Sequence, residues 1–139
     1  MTRHRLINPE SLGAPRGYSN GVLAKPGRLL FVAGQIAWDA SQQIASADVA
    51  EQFEQALANV LTVVREAGGE PSDLCRLTIY VTDKQIYIAG VKRIGAAYRK
   101  LMGKHYPAMA LVEVAALLED RALVEIEAMA VIAESVEPV

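Results

Sequence analysis

Histidine and cysteine are nearly absent from this chain, and the shortage removes whole classes of chemistry. The single cysteine, Cys75, can form no internal disulfide and makes no thiolate metal cluster. The two histidines, His4 and His105, stand far apart in sequence and give no ligand pair at metal spacing, so no metal is expected. There is no glycine-rich phosphate loop and no serine elbow, which sets aside the usual nucleotide and hydrolase readings. Charge of one sign is also lacking. Fourteen basic and sixteen acidic side chains leave a net charge of -2, with no basic run able to neutralise several phosphates, so nucleic acid is not an expected partner. Long apolar runs are missing too: nothing approaches the ~20 residues of a membrane span. The start, MTRHRLINPESLG, lacks the apolar centre of a signal peptide, and the cytoplasm is the expected compartment.

What is present suits a soluble globular protein. The 139 residues fit one domain, 1–139, with loose ends expected at 1–16 and 133–139. Hydrophobic residues make up 52% and charged residues 22%. The mean hydropathy of +0.18 points to apolar surface awaiting a partner, or equally to a generously filled core. Cys75, within DLCRLTIYV, reads first as a small buried strand residue and only second as a nucleophile.

Turn chemistry and periodicity divide the chain into seven elements. Residues 17–24 and 28–37 read as strands joined by Lys25-Pro26-Gly27, a hairpin. From Asp48 onward Val49, Phe53, Leu57, Val60, Leu61 and Val64 recur at helical spacing. Asp48 and Glu51 sit at the positive end of that helix, and Gly68-Gly69 closes it. A strand is expected at 73–83. A helix carrying Ile88, Val91, Ile94, Tyr98 and Leu101 follows, despite Gly90 and Gly95. Two last strands, 108–117 and 122–132, are separated by a polar link of hairpin length. This order predicts an α+β open sheet covered on one face by two helices. Its other face meets water or another subunit, and the short side chains Ala33, Ala115, Ala116 and Ala128 favour a homo-oligomer.

Taken together with their spacing, GYSNGV, VAGQIA, YPAMALVEV and VEIEAMAV resemble the RidA family, the reactive-intermediate deaminases also called YjgF-type or L-PSP-type, over about Gly17 to Ile132. The resemblance implies a chorismate-mutase-like fold, a homotrimer and a cleft at each subunit boundary. It implies hydrolysis of 2-imino acids or their enamine tautomers to 2-oxo acids and ammonia, with no cofactor. In the family motif an arginine grips the substrate carboxylate in a bidentate pair, a geometry that neutral side chains do not reproduce. Here that position is Met109, and the serine and cysteine that usually follow are Ala110 and Leu111. By the same motif positions Tyr18 frames the substrate and Glu125 positions the attacking water.

Each candidate also has a plainer role. Tyr18 either frames the cleft or caps the sheet edge. Glu113, Glu125 and Glu127 fit a solvated strand face as well as a site. Gln35 either contacts ligand or holds backbone, and Trp38 either walls the cleft or packs under its loop. His105 and Tyr106 either line the cleft mouth or form a polar loop. Met109 and Leu111 suit an apolar pocket wall. The expected activity is that of an imine or enamine deaminase with altered substrate preference, because the clamp is Met109. The alternative is a non-catalytic trimer that binds or senses a small molecule. Ribonuclease activity, an old label in the family, fits the acidic balance least.

Overall fold

The computed structural model describes residues 1–134; the expectation for the tail therefore falls, at 135–139, outside the described residues. Among these residues six strands and three α-helices follow in chain order: β1 (Arg5–Ile7), β2 (Gly21–Leu23), β3 (Arg28–Gln35), α1 (Val49–Glu66), β4 (Leu74–Val81), α2 (Lys84–Ala89), α3 (Val91–Met102), β5 (Ala108–Glu113) and β6 (Val124–Ile132). The main sheet has the order β3-β6-β4-β5, and β1 and β2 form a small separate ladder. Within the main sheet β4 and β5 run parallel, whereas β3–β6 and β4–β6 are antiparallel.

α1 forms where the apolar period predicts. Asp48 caps it by accepting the Glu51 N–H at 2.9 Å, and Arg93 of α3 donates both Nη groups to the same carboxylate at 2.8 and 2.9 Å. That contact holds the Asp48 carboxyl below the usual carboxylate range. Leu57, Val60, Leu61 and Val64 along one face are fully buried against the sheet. Every second residue of β6, from Val124 to Ile132, is buried on that same side. Gln52 is the polar member of this core. Its amide donates to the Ser46 and Arg121 carbonyls at 2.8 and 3.0 Å and accepts the Leu123 N–H at 2.8 Å, so its burial leaves no polar group unpaired.

Three expectations from sequence are corrected here. The strand at 17–24 shortens to β2 and pairs with β1, not with β3, whose partner is β6. The last two strands do not form a hairpin, because β4 lies between them. Burial decides both outcomes. β6 carries alternating core residues along its whole length and takes an interior place with both edges paired, while the connection through α2 and α3 sets β5 parallel to β4 at the rim. The expected second helix breaks at Gly90 into α2 and α3, giving three helices on the covered face instead of two.

The start of the chain is tied down. His4 is buried, donates from Nε2 to the Val131 carbonyl at 2.9 Å and accepts the Lys25 N–H on Nδ1 at 3.0 Å. The face of the sheet opposite the helices stays bare. Cross-strand pairs place Phe31 beside Met129 and Leu29 beside Val131 on it, and Phe31 is 68% exposed.

Candidate active site

The cavity with the most apolar wall lies on the helix side of the sheet, at its β5 edge. It has a volume of about 520 Å³, within the range of small-molecule sites. Met109 pairs in register with Leu77, and Leu111 with Ile79, so both point to the helix-covered side, where both line the cavity. α1 contributes Phe53, and α2 and α3 contribute Tyr87 and Tyr98. The rings are ordered against one another. Phe53 and Tyr87 meet edge to face with centroids 6.3 Å apart, and Tyr98 stacks on Tyr106 at 5.1 Å. Tyr98 donates its hydroxyl to the His105 carbonyl at 2.6 Å, and burial pushes its phenol far above the ordinary range, so it serves as a wall and not as an acid.

The chain before β2 supplies the mouth. Ser19 bridges to Ala108 beside β5, with its N–H on the Pro107 carbonyl at 3.0 Å and its hydroxyl on the Tyr106 carbonyl at 2.6 Å. This anchor brings Arg16 and Tyr18 to the cavity rim. Arg99 reaches the same cavity from α3.

Glu125 lies on the other side of the sheet. It pairs with Tyr80 in β4, while its neighbour on that face, Glu127, pairs with Thr78. Its carboxylate rests over Gly34, where an added Cβ would stand 2.6 Å from Glu125 Oε1. The register between β3 and β6 slips at this point, between Val32 and Gln35. Glycine and bulge together make the space that the acid occupies. Glu127 has a partner, accepting the Tyr80 hydroxyl at 2.5 Å, and that bond raises the Tyr80 phenol above its usual range.

Of the residues singled out from sequence, Tyr18, Met109, Leu111 and Tyr106 thus share one cavity, and Glu125 faces the bare side of the sheet. Gln35 stands at the bulge, its amide donating to the Ala33 carbonyl at 3.3 Å. Trp38 bridges to Ile44 and packs on the small cluster of Ile36, Ile44 and Ala122, away from the cavity. His105 is buried, donating from Nε2 to the Leu74 carbonyl at 2.7 Å. Glu113 accepts the Lys84 N–H at the start of α2, at 2.9 Å. Cys75 is half-buried, and burial pushes its thiol up, away from thiolate chemistry. Sequence reasoning did not assign Phe53, Tyr87, Tyr98 and Arg99 to the site, because periodicity marks a residue as inward-facing without separating core from cavity wall. Gly34 carried a signal, a glycine inside a strand pattern, which marks a bulge or a close approach. Among the described residues no cluster of histidine, cysteine and carboxylates could hold a metal, and no helix is long and apolar enough to cross a membrane.

A mixed sheet backed by helices, with an aromatic cavity at its parallel edge and a glutamate over a bulged GQI strand, defines an α+β class of L-PSP type. The chain belongs to the Endoribonuclease L-PSP family, whose model matches residues 9–132, the family also known as RidA or YjgF-type. It is 30% identical over 132 residues to the human 2-iminobutanoate/2-iminopropanoate deaminase, covering 94% of this chain and 91% of that protein. A RutC family protein from Pyrococcus horikoshii is 33% identical over 127 residues, covering 90% and 95%. Among solved structures, a conserved Rid-family protein from Yersinia pestis superposes with a TM-score of 0.84 at 35% identity, covering 94% of this chain and all of that one.

Proposed function

We propose that this protein is a cofactor-independent imine or enamine deaminase whose preference has moved away from the small imines of simple amino acids. The observation that carries this reading is the pairing of a kept acid with a changed pocket. Glu125 is seated over Gly34, while the position of the family's carboxylate-gripping arginine, Met109, forms apolar wall in an aromatic cavity. The chemistry needs little machinery. Water adds to the C=N carbon, the resulting carbinolamine expels ammonia, and the 2-oxo product remains. Glu125 takes the proton from water as the C–O bond forms and returns it to the departing nitrogen, the work of one positioned carboxylate. An already electrophilic imine asks otherwise only for orientation.

Within one chain Glu125 and the aromatic cavity lie on opposite faces of the sheet, so the site requires a second copy. We infer a homotrimer in which the bare face of one subunit brings its Glu125 toward the β5 edge of the next. The apolar surface of Leu29, Phe31 and Met129 supports this assembly, as does the position of β5 at the sheet rim. The test is to generate imines in place with an amino-acid oxidase and follow their removal by the purified protein. Turnover is expected, and Glu125→Gln should lower it by about 10²–10⁴ while keeping fold and assembly. Absence of turnover across small, branched and aromatic imines would overturn the enzymatic reading in favour of a trimer that only binds its ligand, a role the apolar wall of Met109 and Leu111 also suits.

A further inference from the structure

The cavity at the β5 edge has a charge pattern that its apolar wall does not explain. Fourteen residues line it; two are arginines and none is acidic. In a chain of net charge -2 this is a local reversal of sign. Arg16 and Arg99 are both exposed and, among the described residues, neither takes part in an ion pair. Arg93, six residues earlier on α3, is by contrast fully engaged with Asp48.

Arg99 is also given room. Gly95, one turn before it on α3, is a costly residue for a helix interior. A Cβ there would lie 3.3 Å from Arg99 Nη1, so the guanidinium folds back along the helix over the glycine. Arg16 lines the same cavity from another element, the segment that Ser19 fixes beside β5. Two exposed arginines from separate elements therefore line a cavity walled by Phe53, Tyr87, Tyr98 and Tyr106.

We propose that Arg16 and Arg99 are specificity-determining residues that hold the anionic end of the ligand at the rim, and that the ligand is an aryl-bearing carboxylic acid whose ring enters the cavity. This deepens the deaminase reading and rests on it only for the further step that the substrate is an aryl-bearing 2-imino acid. Guanidinium groups suit a carboxylate because their fork matches its two oxygens. The ring is selected by the aromatic walls, which favour edge and offset contacts. A clamp at the rim, in place of one at Met109, leaves the length of the cavity free for a side chain that a small imino acid does not have.

The test measures binding of 3-phenylpropanoate, its neutral amide and propanoate to the whole protein by calorimetry, at low and high salt. The acid is expected to bind roughly tenfold or more tightly than the amide, with the advantage reduced by salt. Propanoate should bind far more weakly than either. Arg16→Gln and Arg99→Gln should each shrink the preference for acid over amide, and the double variant should erase it while amide affinity stays unchanged. Arg93→Gln should leave the preference intact. Equal affinity for acid and amide in the natural protein, or a preference that survives the double variant, would overturn the clamp. Propanoate binding as tightly as the phenyl acid would overturn the choice of an aryl ligand. Failure to turn over imines while this discrimination persists would count against the deaminase reading alone.

Discussion

Glu125 and Gly34 share one volume: the carboxylate of the first fills the space where the second has no side chain, 2.6 Å from the position of an added Cβ. Gly34 is not at a positive φ, so alanine fits its backbone and only the acid must move. Gly34→Ala should therefore leave the melting temperature nearly unchanged yet lower imine turnover by about tenfold or more, through displacement of the acid proposed to handle water. Steady-state kinetics beside a thermal melt checks this. Undiminished kcat would show that the seating of Glu125 is irrelevant to rate.

Met109→Arg restores a charged clamp at the motif position. With alanine-derived imine generated in place, KM should fall by roughly tenfold, the scale of one charge-assisted hydrogen bond. The same variant should melt lower than the natural protein, because Met109 packs against the core and a guanidinium there leaves water for an apolar wall. An unchanged KM would mean that this position does not meet the substrate.

The bare sheet face predicts the assembly. Sedimentation should give three times the 15.0 kDa chain mass, and Phe31→Asp should dissociate it by placing a charge in the apolar patch of Leu29, Phe31 and Met129. Activity should disappear with the assembly, since the acid and the aromatic cavity would no longer meet. A natural protein that sediments as one chain would refute both the trimer and the shared site.

His105 predicts a pH dependence of stability. Burial holds its imidazole below the ordinary histidine range. The folded protein therefore binds this proton less readily than the unfolded chain, whose histidine titrates near pH ~6.5. Stability from this group is complete above that value and is lost as the pH falls through it toward the lower folded value. Melts between pH 7.5 and 5.5 should show a falling midpoint. His105→Gln, which keeps a donor toward the Leu74 carbonyl, should flatten that slope; an unchanged slope would assign it to other groups.

By itself the sequence determined the family and most of the local elements, with β1 and the break between α2 and α3 as exceptions. The 3.6-residue period of Val49 to Val64 produced α1 because those side chains had one face to bury, and Asp48 marked its start because a carboxylate satisfies free N–H groups there. The motifs around Gly34, Met109 and Glu125 carried the family through residue type and spacing alone. Strand neighbours were decided by tertiary structure. A link of hairpin length before Val124 suggested adjacency, but pairing depends on which strand can bury both its edges, and β6 does so between β3 and β4. The same holds for the site. Alternation along a strand divides residues between two faces without saying what covers each, so Met109 and Glu125 read as one cleft until the helices settled on one side of the sheet. Arg99 joined the cavity only because α2 and α3 break at Gly90 and fold α3 across its edge, a consequence of packing that no local pattern encodes.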